Sequence, residues 1–169
     1  MDNVKMGSLS IQIEISDDEL HYVFAGEVDE GFSHRHMPEL IRPDTFLDLA
    51  QVSAFNSCGI REWVFWIKKL SLCTRVHFIA CSIAMIDQIN MIPESLGNGI
   101  IESFYAPYFC VKCGEVNKLI KLSEHKAQVG NKKAPFFACE NCSAGLTFDT
   151  LDSSYFLFVE HQKGIPHAS

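Results

Sequence analysis

The chain has 169 residues, 47% of them apolar and 21% charged, a globular composition that excludes a largely disordered polymer. Lysine and arginine number 14 against 21 aspartates and glutamates, a net charge of −7. A surface built for nucleic-acid phosphates needs the opposite sign. The longest nearly apolar run, Phe78 to Ile86, is broken by Ser82 and falls far short of the roughly 20 residues a bilayer crossing needs. Met1 to Met6 lacks the basic and apolar regions of an export signal, so the expectation is a soluble, cytoplasmic protein.

Leu9, Ile11, Ile13 and Ile15 alternate with polar residues, the pattern of a half-buried strand. Asp17-Asp18 is turn chemistry, and Leu20, Tyr22 and Phe24 alternate again before Gly26, which predicts an antiparallel hairpin. Residues 27–43 are polar and predict a loop with one short helix around Pro38 to Ile41. Phe46 to Leu49 is short and apolar, as in a buried central strand.

From Ser57 to Ser71, Ile60, Trp63, Val64, Ile67 and Leu70 recur at helical spacing. Arg61, Glu62, Lys68 and Lys69 fall on other faces, and Phe65 lies well off the apolar stripe. Phe65 is either shielded by a neighbour or part of a partner surface. Val76 to Ala80 predicts a further strand. Ser82 then caps a helix running to about Met91, with Ile83, Ile86 and Ile89/Asn90 inward and Pro93 ending it. Ile100 to Phe104 is the last strand of this part. Strands alternating with helices imply parallel pairing in a mixed α/β sheet. Ala106-Pro107 marks a change, so the chain divides near residue 105 into units 1–104 and 105–169.

Seven cysteines are present, four of them in two C-x-x-C pairs, Cys110/Cys113 and Cys139/Cys142. Without an export signal, metal binding is favoured over a disulfide framework. Two such turns present four sulfurs to one tetrahedral Zn2+ at about 2.3 Å and leave no position for water, so the expected metal is structural rather than catalytic. Gly114 and Gly145 suit tight turns at positive φ. Asn117 to Leu122 and Leu146 to Phe148 supply strands of a zinc ribbon, a small β module. His125 reads as a surface histidine. Tyr155 to Val159 is an apolar run expected to pack on the ribbon or on the first unit.

Leu47 to Gly59 reads as strand, loop and helix start, where free backbone N–H groups and the helix dipole favour negative charge. Asn56 or Ser57 satisfies the first turn as a cap. Cys58 sits where a helix terminus can lower a thiol pKa, although a free cysteine is more often a small core residue. This stretch, with Gly26-Glu27-Val28-Asp29 and the element order, resembles the STAS domain, the fold of anti-sigma-factor antagonists. That family shows Asp-Ser-Ser/Thr-Gly at the helix start. The resemblance covers residues 9 to 104 and implies a bacterial-type, non-enzymatic regulator. Its implied partners are a kinase, a phosphatase, an anti-sigma factor or a sensory assembly. In the family, phosphorylation of the residue before the glycine switches binding. Here that position is Cys58, the family's aspartate is Asn56, and only Ser57 carries a hydroxyl. The implied partner surface is Asn56, Ser57, Cys58 and Gly59 with Arg61, Glu62 and Phe65.

The alternative is nucleic-acid binding through the ribbon. Six lysines against three glutamates lie between Cys110 and Cys142, and Phe136 and Phe137 offer rings for base stacking. His21, His34, His36 and His77 are dispersed in the sequence, and no phosphate-binding glycine loop occurs. An enzyme is therefore not expected.

Overall fold

The computed structural model describes residues 2–162. The chain opens with β1 (Asp2–Met6), which pairs antiparallel with β2 (Leu9–Ile15). The sequence reading began only at Leu9. β1 is an edge strand whose burial is confined to Val4 and Met6, too little alternation to announce it. β2 pairs antiparallel with β3 (Glu19–Val28), the hairpin expected from the alternation.

A single 3-10 turn at His34–His36 follows, and Pro38 to Ile41 is not helical. Pro38 and Pro43 bias the residues before them away from helix, which explains the correction. β4 (Asp44–Phe55) runs well beyond the expected Phe46 to Leu49. It pairs parallel with β3 as far as Phe55, with two register slips, and backbone pairing carries it past the apolar run.

α1 (Ser57–Leu70) buries Ile60, Trp63, Trp66, Ile67 and Leu70. Trp66, absent from the expected stripe, is buried, whereas Val64 is only half-buried. β5 (Arg75–Ile79), α2 (Ile83–Met91) and β6 (Ile100–Ile101) complete a six-stranded sheet ordered β1-β2-β3-β4-β5-β6. β3 to β6 are mutually parallel. Ser82 caps α2, its hydroxyl accepting from the Met85 amide. Met85 is fully buried in α2, while Ile83 is only partly so.

The order advances one way, so right-handed crossovers place both helices on one face. That face buries Leu9, Ile11, Tyr22, Phe24, Leu47, Leu49 and Phe78. Trp63 meets Phe24 edge-on at 5.3 Å, and its indole N–H donates to the Ser95 carbonyl.

The expected strand Ile100 to Phe104 divides. After β6 the chain turns at Glu102 into β7 (Ser103–Cys110), the centre of a second sheet ordered β8-β7-β9. β8 (Gly114–Lys121) and β9 (Thr147–Phe148) flank it, both antiparallel. Between them lies α3 (Leu122–Gly130), kinked at His125, which sequence reading missed because its periodicity is weak. α4 (Asp152–Tyr155) and a 3-10 turn at Phe156–Glu160 form the tail.

The tail joins the two sheets. Tyr155, Phe156 and Phe158 gather around Phe104. The Asn90 amide donates to the Tyr155 carbonyl. The buried Gln162 amide pairs with both the N–H and C=O of Ile101, as an added strand residue would. Among the described residues no helix is long and apolar enough to cross a membrane.

Candidate metal centre and the turn at the start of α1

β7 ends at Cys110 and β8 begins opposite it at Gly114, so Cys110–Cys113 is the hairpin turn itself. Gly114 has φ +90°, as the tight turn demands. In the second turn the Cys139 amide donates to the Ala144 carbonyl and the Ser143 amide to the Cys139 carbonyl. There Ser143, at φ 59°, takes the left-handed position, and Gly145 does not. A Cβ on Gly145 would meet the Phe136 ring at 3.3 Å, so its smallness serves packing.

These turns bring the four thiols together, with all ligand atoms within 4.8 Å of one another. Cys110 and Cys142 sulfurs are 3.4 Å apart and are not bonded. Tetrahedral sulfurs at about 2.3 Å from an ion stand about 3.8 Å apart, so the set fits a metal. Cys110 and Cys139 are buried, Cys142 half-buried and Cys113 exposed.

The Lys112 amide, aimed at its sulfur, pulls the Cys110 thiol down to about 7, whereas crowding by Cys142 and Cys139 pushes Cys113 up to about 12. A first thiolate is favoured by backbone donors and further ones are opposed by their neighbours. A divalent cation removes that opposition. His125 is half-buried; its ring meets Phe137 edge-on at 5.5 Å, and it lies outside the four-thiol group.

At the start of α1, Asn56 is the cap. Its side-chain oxygen accepts from the Cys58 and Gly59 amides at 3.1 and 2.8 Å, and its amide donates to Glu30 at 2.6 Å. Gly59 faces the end of β3 so closely that a Cβ there would lie 1.9 Å from the Val28 carbonyl oxygen. The glycine therefore has a packing cause of its own. Ser57, Cys58 and Arg61 are exposed. Phe65 is 54% exposed, beside the His34 ring at 5.6 Å.

Like Asn56 and Gly59, Glu62 is not part of an open surface. Its carboxylate accepts from the His34 amide and meets the His34 ring at 2.6 Å. The His34 hydrogen bond holds its pKa below the usual carboxylate range.

Folding also brings together histidines that are far apart in sequence. His21, Phe46 and His77 stand opposite one another on β3, β4 and β5, stacked at 4.7 and 4.6 Å on the sheet face away from the helices. Asp44 and Glu102 flank the His77 ring. Strand alternation puts each residue on that face, but only the pairing register places them in one row.

In the C-terminal part of the chain, Lys118 and Lys121 on β8 and Lys132 after α3 are paired with Glu140, Glu124 and Glu160. Phe136 is 80% exposed, whereas Phe137 is half-buried against Tyr108. No known protein family matches the sequence, and no curated protein shows significant similarity to it.

Proposed function

We propose that this chain is a non-enzymatic regulatory protein whose STAS-like first unit binds signalling proteins, and whose second unit is a zinc ribbon that adds a docking surface. The reading rests chiefly on the turn Asn56–Gly59. It seats the start of α1 against the end of β3 and leaves Ser57, Cys58 and Arg61 facing solvent. The mixed sheet with crossover helices supports it. Four thiolates suit Zn2+ and close its coordination shell, which favours a structural ion over one that activates water. Ion pairing of three ribbon lysines weighs against the nucleic-acid alternative.

The test is affinity capture with the wild-type chain beside a Ser57→Asp, Phe65→Glu variant, with and without nuclease. The expected result is a kinase, phosphatase, anti-sigma factor or sensory protein captured by wild type and lost with the variant. Proteins captured equally by both, and released by nuclease, would move the function to the ribbon. Metal analysis of the purified protein is expected to give one zinc per chain.

A further inference from the structure

The outward side of α1 differs in charge from the chain as a whole. At about 100° per residue, Arg61, Phe65, Lys68 and Leu72 fall within one narrow stripe, the last just past the helix end. Cation and apolar side chain alternate along it. Phe65 is 54% exposed and Leu72 83%. Of the neighbouring carboxylates, Glu39 pairs with Lys69 at 2.6 Å and Glu62 meets His34 at 2.6 Å, while Glu94 lines the depression beside Lys68 and Leu72. Arg35 is exposed on the adjoining turn. Arg35, Arg61 and Lys68 thus stand as three exposed cations against the open carboxylate of Glu94, on a chain of net charge −7.

On the flank of α1 that carries Trp66, Lys69 and Leu70, between the helix and the turn before β4, lies a cleft of about 160 Å³. Its walls include Met37, Leu40, Trp66 and Leu70, with His34 and the Glu39–Lys69 pair among its lining. A volume of roughly 150 Å³ accepts a benzene-sized group. On the other flank of α1, Lys68 and Leu72 border an open depression of about 350 Å³. Exposed apolar side chains at helical spacing, with an apolar cleft on the flank of the same helix, suit helix-in-groove recognition, and the interleaved cations define the charge of what fits.

We infer that the Arg61–Phe65–Lys68–Leu72 stripe docks an acidic amphipathic helix of a partner protein, one apolar side chain of which enters the cleft walled by Trp66 and Leu70. The inference rests on the proposed partner-binding role of α1 and adds the partner's chemistry. The occupant carries carboxylates opposite Arg61 and Lys68 and an aromatic or aliphatic anchor for the cleft. Its association is steered by charge and weakens with salt.

The experiment is selection of a displayed library of random 16-residue peptides on the folded, metal-loaded chain. The expected outcome is enrichment of sequences rich in Asp and Glu with apolar residues at helical spacing. The best synthetic peptide should bind at least tenfold more weakly to an Arg61→Glu, Lys68→Glu variant, and more weakly to Leu72→Ser. All three positions are exposed or at the helix surface, and thermal melts confirm folding. Basic or neutral sequences, no enrichment, or acidic peptides indifferent to these variants would overturn the inference. So would equal or tighter binding of phosphatidylserine vesicles or an oligonucleotide lost in the same variants, since the surface would then read phosphate. If the library fails while Ser57→Asp, Phe65→Glu still abolishes capture, only the partner's chemistry is wrong. If capture is also unchanged, the partner-binding role of α1 fails with it.

Discussion

Between the first sheet and α1 the interior is filled by Trp63, Trp66, Tyr22, Phe24 and Phe32, packed ring against ring. Around the two C-x-x-C turns the large apolar residues lie outside instead. Val111 is 75% exposed and Phe136 80%, and what is buried is Cys110, Cys139 and Leu146. The first region can be held by removal of apolar surface from water. The second has too little to bury, and its cohesion falls to the thiol cluster. Between them, Phe104, Tyr108, Phe148, Tyr155 and Phe156 form an aromatic junction belonging to both.

Removing the metal proposed for the thiol cluster is the strongest way to break this contrast. Structural zinc contributes about 10–16 kcal/mol in small zinc-finger peptides. Chelation, or Cys139→Ser, is expected to abolish hydrogen-exchange protection at residues 110–116 and 139–145 and to leave β2, β3 and β4 protected. Uniform loss across both sheets would mean that the aromatic junction makes one cooperative unit of the whole. Retained protection at the turns would mean that the thiols are dispensable.

The complementary change is Trp63→Ala. Trp63 is fully buried and bonded to Ser95. Its truncation is expected to cost about 3–5 kcal/mol in urea unfolding, as for large-to-small changes in cores. Metal content should stay unchanged while the chain is folded. Loss of metal in step with the loss of stability would place the coupling in the junction and not in the cluster.

How far each region could be read in advance follows the same division. The thiol cluster was legible because C-x-x-C spacing is local, and each turn sets which two sulfurs converge. The β2–β3 hairpin, α1 and α2 were legible because alternation and helical spacing report burial directly. β1 and the full length of β4 were not, because backbone pairing with β2 and β3 holds them and no side-chain pattern records it. Ser143 in the left-handed position was hidden by the assumption that glycine takes it. Gly59 was visible as a residue, but its cause, the approach of Val28, lies 31 positions away in sequence. The row His21–Phe46–His77 and the grip of His34 on Glu62 depend on register and on loop placement. Neither is a property of any short window. Trp66 was missed because the buried side of α1 is wider than the stripe drawn for it.

The smallest effect expected concerns Asp29, where β3 ends. Its carboxylate accepts from the Ser8 and Gly31 amides at 3.2 and 2.8 Å and ties the β1–β2 turn to β3. Gly7 and Gly31 allow this, since a Cβ on Gly31 would lie 2.5 Å from the Gly7 Cα. Hydrogen bonds from the Ser8 side chain, then from Gly31, hold the Asp29 pKa below its ordinary value. The folded state therefore favours the ionised form. The resulting stabilisation is fully present above the unfolded pKa of about 3.9 and is lost as pH falls through the lower folded value. Asp29→Asn should melt slightly below wild type from neutral pH down to about pH 4, and the gap should close as the wild-type carboxylate protonates. Its mark in hydrogen exchange should fall on β1 and β2 and spare the cysteine turns. A gap that widens in acid would show that the carboxylate is not the acceptor. A change at the turns would show that the two regions communicate through more than the aromatic junction.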